Sequence, residues 1–495
     1  MDEDAFITFR VVDNFVHGFG LRWNINERVQ SYTNPLWMLL HIPIYAITNN
    51  IIVTTCILGW GCLLATLLLV RDTFLVAPMR YTALFLIPLL ILPTNAAYFT
   101  SGLENPLLNL LFACFGFVIV RRPKHFWFWC SFVTTLSAFT RLDTVIFYAP
   151  VWIYLFYSQR KTIHWKDITL GYLPLAGWLC FSFFYYGFLL PNTALAKLGG
   201  HLPLTDYLRS GIAYAYDSML ADPWSAAAIF AALVYFPYQA WKNRVQPSYE
   251  IMLAVMIACG TGVYCLYVIY IGGAQLSLRM LSLPAFAICW LWAWRFPLNT
   301  HIGYVGFILM VMCVQAFVAV SPQERSKIPM IANAKISGTP WAHYLFIKNG
   351  PSLFDYVLDI ADIKAKPDHA PHAPKTQISN LIGNFGYYSG PSLIIIDPAG
   401  LSDPLLARLP AIDNDLVKVG DVFRYIPPGY KETILTGSTA NLPPPLAHYY
   451  EKLQLITRGD LWSLERLKTI LLFNIGAYDG LKDQYIHEFY PRKID

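Results

Sequence analysis

The sequence predicts an α-helical polytopic membrane protein of about ten to eleven spans that ends in a C-terminal soluble α/β domain. Three observations predict it. Long apolar blocks alternate with short polar connections. Lys and Arg fall on alternate connections. From residue 321 onward the pattern changes to short amphipathic and period-two segments with Pro and Gly between them.

Composition agrees with the first observation. Of 495 residues, 56% are hydrophobic and 14% charged, against about 25% charged in a typical soluble domain. The apolar blocks cover 51–70, 81–99, 106–120, 126–140, 143–157, 168–189, 224–241, 250–271, 280–296 and 301–320. A span takes about 20 mostly apolar residues, so the third to fifth blocks are short and count as spans because charged residues separate them. Residues 34–47, with Pro35, Trp37, His41 and Pro43, are too broken to span and read as an interfacial or re-entrant helix. The aromatic runs Phe126–Trp129 and Trp290–Trp294 read as interface belts.

The charge pattern orients the chain. With residues 1–33 outside, the inner connections carry Arg71, Arg80, Arg121, Arg122, Lys124, Arg160, Lys161, Lys166, Lys242, Arg244 and Arg295, against Asp72, Asp167 and Glu250. That is a cytoplasmic excess of Lys and Arg, and it places the tail outside the membrane. The net charge of +5 is therefore a topology signal, and it excludes a nucleic-acid footprint. An acidic segment directly at Met1 would have to cross the membrane unaided, so a further N-terminal span is expected ahead of it.

The chain divides into an outer loop and amphipathic helix at 1–34, a transmembrane module at 35–320 and a soluble domain at 321–495. The roughly 175 residues of the last part are enough to bury a core. Within it, Ile328–Tyr344 reads as loop and short helix, Ser352–Lys364 as a helix, and Ile378–Ile382 and Leu393–Asp397 as strands. Lys366–Lys375, with His369 and His372, reads as a linker rather than a metal site. All nine cysteines lie in apolar blocks and none in the tail, so they read as buried thiols with no disulfide framework or zinc spacing.

Chemistry is expected where ionisable residues meet the outer membrane face, since such residues are costly at membrane depth. The first group is Asp2-Glu3-Asp4 ahead of Ala5-Phe6-Ile7 and Arg10. Adjacent carboxylates suit a general base, because one acid raises the pKa of its neighbour; the plain alternative is a solvated acidic tail. A compact polar loop follows, with Gly18-Phe19-Gly20, Asn24 and Glu27-Arg28-Val29, and then Tyr32-Thr33-Asn34-Pro35-Leu36-Trp37 opens a helix.

These stretches resemble the multi-span glycosyltransferases of the GT-C fold. The nearest likeness is to the actinobacterial β-(1→2) arabinofuranosyltransferases that add terminal arabinose to cell-wall arabinan. Glu3-Asp4 stands where that family has two aspartates, with Asp4 matching the second. Further segments continue the likeness: Ser101-Gly102-Leu103-Glu104, Arg141-Leu142-Asp143, Pro191-Asn192-Thr193 with Lys197, and Gly272-Gly273-Ala274 followed by Arg279 and Pro284. In the tail, Gly386-Tyr387, Asp397, Gly400-Leu401, Asp403-Pro404, Ala407-Arg408, Val419-Gly420 and Arg424–Tyr430 look like the family's soluble domain. Ala274 departs from the pattern, where the family has an aspartate.

The resemblance implies transfer of arabinofuranose or another pentose from a polyprenyl-phosphate sugar donor to a cell-envelope glycan or lipid-linked acceptor, at the outer face of a bacterial inner membrane. The lipid bilayer is then a partner and nucleic acid is not. Asp4 would be the base and Glu3 its support. Arg279, then Lys197 and Arg141, would hold the donor phosphate, with interfacial anchoring or pairing as the alternative for each arginine. Arg10, Tyr32, Asn34, Glu104, Asp143 and Asn192 would contact sugar or acceptor, although Glu104 and Asp143 could equally serve helix starts. No cofactor is expected; a divalent metal is conceivable from the Asp2-x-Asp4 spacing but not expected. Two other readings are a lipid-linked-sugar flippase and a GT-C relative that has lost activity. The flippase reading is weakened because the span centres are almost free of charge, whereas transporter sites lie near the bilayer midplane.

Overall fold

The computed structural model describes every residue except 75–92, 97, 200–201, 246–247, 275, 296–317, 334–366, 368, 370–372, 381, 413–421 and 491–495. The expected spans at 81–99 and 301–320 lie largely outside the described residues, as do the helix Ser352–Lys364, His372 and Val419–Gly420.

The described chain is mostly helical, as a membrane protein of this composition should be. Among the described residues, three helices are long and apolar enough to cross a membrane: Ile51–Phe74, Trp165–Tyr185 and Tyr249–Tyr270. Leu204–Ala221 and Pro223–Lys242 meet the same test together but are bent by 111° at their junction. There Asp222 caps the second helix, accepting from the Ser225 amide at 3.0 Å. The expected short blocks form Asn105–Arg121, Phe126–Thr140 and Thr144–Ser158. At 1.5 Å per residue the latter two reach only about 22 Å, short of a hydrocarbon core of about 30 Å.

Two compact units divide the chain. The first comprises Thr55–Leu175 and Leu204–Ala361, with Met1; the second comprises Asp2–Thr54, Ala176–Pro203 and Asp362–Asp495.

In the first unit the helix Tyr249–Tyr270 packs most extensively on Thr144–Ser158. Close approach is possible because small residues sit at the crossing. A Cβ on Gly260 would lie 2.1 Å from the Phe147 carbonyl oxygen. The core is aromatic: Phe112 meets Phe147, Phe286 and Trp290 edge-on. This corrects the reading of Trp290–Trp294 as an interface belt, because Trp290 is fully buried against Phe112, Phe74 and Gly116. An apolar ring with a helix partner gains more from packing there than from the headgroup layer. The short helix Pro329–Asn333 matches the expected loop and short helix, and nearby Arg325 pairs with Asp217 at 2.7 Å, both buried.

In the second unit, α1 (Glu3–Val16) is buried along most of its length and packs on α2 (Pro35–Thr48). The tail contributes a two-stranded parallel sheet, β1 (Lys375–Ile378) and β2 (Leu393–Ile396), in the register Lys375↔Leu393 to Ile378↔Ile396. The second strand falls where the apolar run placed it. The first begins and ends earlier than the expected Ile378–Ile382. Asp397 ends β2 by turning the chain, its Oδ1 accepting from the Ala399 amide at 2.9 Å and its Oδ2 from Ser402 at 3.0 Å. Pairing therefore stops at Ile378, and β1 takes in Lys375 from the expected linker. Helices Tyr430–Thr436, Pro444–Arg458, Leu464–Asn474 and Asp479–Glu488 follow, and Ile394, Ile396, Leu405, Tyr430, Leu453 and Ile456 belong to one core.

Buried arginines bind this unit to itself. Arg10, 2% exposed, donates from Nε to the Trp23 carbonyl at 2.9 Å, from Nη2 to Leu393 at 2.7 Å and from Nη1 to Gly386. Arg466 donates to the carbonyls of Ile456, Phe184 and Tyr185. A buried guanidinium is costly unless its donors are satisfied, and carbonyls here satisfy them.

Candidate active site

In the first unit three polar junctions converge. Gly102, at φ +90°, turns the chain so that Glu104 precedes the helix Asn105–Arg121. The glutamate does not cap that helix. It points at Arg141, which ends Phe126–Thr140 in extended backbone. Two residues on, Asp143 precedes Thr144–Ser158. Arg141 Nη1 donates to Glu104 Oε1 at 2.8 Å, and its Nε and Nη2 donate to the two oxygens of Asp143 at 3.1 and 2.6 Å. Arg279 stands in a one-turn 3₁₀ segment after Leu278, whose φ of +67° is unusual for a residue with a side chain. Arg279 Nη2 lies 3.7 Å from the same Glu104 oxygen, an ion-pair distance longer than a hydrogen bond. The Asn105 amide holds the Arg279 carbonyl at 2.8 Å.

Glu104 is fully buried. Burial alone would raise its carboxyl, but Arg279 and Arg141 overcome that and hold it at about 2. Arg141 is 15% exposed; desolvation works to lower its pKa, but Asp143, Tyr264 and Glu104 hold it above the ordinary arginine value. Two acids and two guanidiniums thus form one charge-balanced cluster. Four of the residues singled out in the sequence are brought together here. The sequence reading did not anticipate Tyr264, whose hydroxyl reaches Asp143 Oδ2 at 3.4 Å, or Met280, whose sulfur accepts from Arg141 at 3.0 Å. An Arg-x-Asp pair was visible, but its partners from distant helices were not.

The remaining singled-out residues lie in the second unit. Asp2 caps α1, its side chain accepting from the Asp4 amide at 3.0 Å. Glu3 accepts from the amides of Gly383 and Asn384 at 2.9 and 3.0 Å, so it caps the helix Asn384–Tyr388. Only glycine fits at 383, where a Cβ would stand 2.0 Å from the Glu3 carbonyl oxygen. Asp4 is half-buried on the same first turn. Arg10 is spent on carbonyls, as described. Tyr32 is buried with its hydroxyl 2.8 Å from that of Tyr186, and Asn34 accepts from the Thr8 hydroxyl at 3.1 Å. Asn192 donates to the carbonyls of Gly400, Leu401 and Asp403 and accepts from Arg408. Lys197, in the last turn of Asn192–Leu198, is exposed. Arg10 and Asn192 thus have tasks inside the fold that the sequence alone did not reveal.

Chemically, the first turn of α1 offers three successive acids, of which Asp4 is half-buried. The Glu104 cluster offers two guanidiniums, Arg141 in hydrogen-bond contact with both acids and Arg279 3.7 Å from Glu104.

Comparison with known proteins gives two relatives. A terminal β-(1→2)-arabinofuranosyltransferase of Mycobacterium tuberculosis is 26% identical over 267 residues, covering 49% of this chain and 39% of that protein. One of the same name from Corynebacterium glutamicum is 24% identical over 329 residues, covering 58% of this chain and 47% of that protein. The chain therefore spans less than half the length of the curated relatives it matches. These matches support a distant relationship to that family. No family model matches the chain, and no solved structure matches it.

Proposed function

We propose that the protein is a membrane glycosyltransferase that moves arabinofuranose or another pentose from a polyprenyl-phosphate donor to a cell-envelope glycan or lipid-linked acceptor. The observation that carries this reading is the match to two curated proteins that bear one enzymatic name. The arrangement of polar groups supports it. In the proposed reaction the acceptor hydroxyl oxygen attacks the anomeric carbon and the bond from that carbon to the phosphate oxygen breaks. The hydroxyl proton passes to the Asp4 carboxylate, and polyprenyl phosphate leaves with the bonding pair. Glu3 fixes the first turn of α1 by capping Asn384–Tyr388, which positions Asp4.

Arg279 is the proposed partner of the donor phosphate, since a guanidinium fork matches phosphate oxygens. Arg141 serves it from behind by neutralising Asp143 and sharing Glu104. Lys197 is a further proposed contact to the donor phosphate, and Tyr32, Asn34 and Asn192 are proposed contacts to sugar or acceptor. The bilayer holds the lipid donor, and the C-terminal region stands on the outer side of the inner membrane.

The test is direct. Purified protein is incubated with synthetic polyprenyl-phosphate pentoses and glycan acceptors, alongside Asp4→Asn. Transfer by the parent and not by the variant supports the reading. No transfer from any donor by a folded preparation overturns it, and equal transfer by Asp4→Asn overturns the assignment of the base.

A further inference from the structure

The C-terminal end of α1 carries a group of side chains that the glycosyl-transfer chemistry does not use. Asp13 and His17 are four residues apart and therefore share one helix face. His369, expected from its sequence context to lie in a linker, reaches the same place. Its Nε2 is 2.8 Å from Asp13 Oδ2, and its ring stacks on that of His17 with centroids 3.8 Å apart. One ligating atom from each of the three residues lies within 4.8 Å of the others.

The outer contacts select which atoms are available. His17 Nδ1 is 2.9 Å from the Asp13 carbonyl oxygen. A carbonyl only accepts, so Nδ1 carries the hydrogen and Nε2 keeps a lone pair. Tyr45 donates to Asp13 Oδ1 at 2.6 Å, which leaves Oδ2 as the ligand atom. Orienting bonds of this kind accompany metal-binding histidines and carboxylates. Arg10, three residues back, is the competing cation for Asp13, but its donors are spent on Trp23, Gly386 and Leu393. The site also lies at the negative end of the α1 dipole, which favours a cation. Asp13 is 3% exposed, whereas His17 and His369 are 35% and 28% exposed, so an ion and its water can enter from the histidine side.

We propose that Asp13, His17 and His369 bind a first-row divalent cation of the zinc class. Two imidazoles and one carboxylate suit zinc, cobalt or nickel rather than magnesium or calcium, which take all-oxygen sites. Ligand bonds of about 2.0–2.2 Å put neighbouring ligand atoms about 3.3 Å apart in a tetrahedral site, so on binding His369 draws back from Asp13 and tilts out of its stack on His17, which lets the in-plane lone pairs of both rings meet the ion. The imidazole of His369 binds through a neutral Nε2, its proton being released to solvent or carried on Nδ1, and water takes the remaining position. Asp13 is nine residues from Asp4, about 14 Å along the helix. The ion therefore fastens His369 to α1 and takes no part in bond breaking.

The test is independent of sugar transfer. Full-length protein in detergent is stripped with chelator and titrated with zinc by calorimetry, then loaded with cobalt and examined for visible d–d absorption. We expect about one ion per chain, a cobalt spectrum of a nitrogen–oxygen site, and a higher unfolding temperature with zinc. His17→Gln and His369→Gln should each weaken binding at least tenfold, and Tyr45→Phe should weaken it about tenfold or more. Parent protein that gains neither bound zinc nor thermal stability overturns the proposal, as does a His17→Gln/His369→Gln double variant that binds as the parent does. Should the double variant not fold, the parent's cobalt spectrum decides: absence of d–d bands overturns the site, leaving an Asp–His ion pair.

Discussion

Arg141 grips Asp143 with two prongs, Nε to Oδ1 at 3.1 Å and Nη2 to Oδ2 at 2.6 Å, across a single intervening residue. That leaves Nη1 for Glu104. One guanidinium thus joins the end of one apolar helix to the starts of two others, each of which presents an acid there.

Arg141→Met should therefore destabilise far more than the loss of a surface pair. Removing one partner of a buried pair costs about 3–5 kcal/mol because the other charge remains. Arg141→Lys keeps the charge but cannot span both acids, so it should fall between. The double change Arg141→Met with Glu104→Gln should recover part of the loss. Thermal unfolding in detergent measures all three, and equal stability of Arg141→Met and parent would remove the cluster from the account of the fold.

The acidity of Glu104 makes a pH prediction. Its folded carboxyl sits at about 2, below the ordinary 4.5. The unfolded chain therefore binds the proton more readily, and Glu104 contributes stability that is fully present above about pH 4.5 and is lost as pH falls toward 2. Glu104→Gln removes that dependence. The parent should lose stability between pH 4.5 and about 2 more steeply than Glu104→Gln, as read by unfolding temperature across that range.

The first turn of α1 separates two kinds of acid. Asp4→Asn should reduce transfer by about 10²- to 10⁴-fold, the usual contribution of a general base, in protein that still unfolds cooperatively. Glu3→Ala should act through structure. It strands the amides of Gly383 and Asn384, a loss of about 1–3 kcal/mol, and should speed proteolytic cleavage near Asn384–Tyr388. A variant of Glu3 that abolishes transfer without loosening that segment would assign it to chemistry instead.

Orientation is tested with a reporter fused after Asp495. Activity only outside the cytoplasm fits the excess of Lys and Arg on the assigned inner connections. Cytoplasmic activity would reverse that assignment and remove the proposed outer location of every site residue.

What the sequence disclosed follows from what repeats along it. Hydrophobic blocks gave helices such as Ile51–Phe74 and Tyr249–Tyr270 nearly to their ends, because burial in lipid or against helices needs only apolar length. The apolar run at Leu393 gave β2. The limits of β1 were hidden, since they depend on where its partner turns at Asp397. Trp290 was misjudged because nothing local marks Gly116 as its neighbour. The site divides in the same way. Arg141 and Asp143 were visible as a pair, while the convergence of Glu104 and Arg279 on them depends on helix packing. Arg10 looked like a ligand for substrate, yet its carbonyl partners come from Trp23, Gly386 and Leu393, and no periodicity encodes those. His369 looked like linker because Pro367 and Pro371 flank it, and its approach to Asp13 is purely tertiary.

The Arg10 contacts also set an order of events during synthesis. Gly386 and Leu393 follow Arg10 by 376 and 383 residues. At about 5–20 residues per second, roughly 20–75 seconds separate translation of the arginine from that of its acceptors. Through that interval α1 carries a guanidinium whose final carbonyl partners do not yet exist. Helix α1 thus reaches its native setting only after Leu393 has been made. A ribosome stalled before Gly386 would leave it exposed to proteases and chaperones, while a chain released after Leu393 would not.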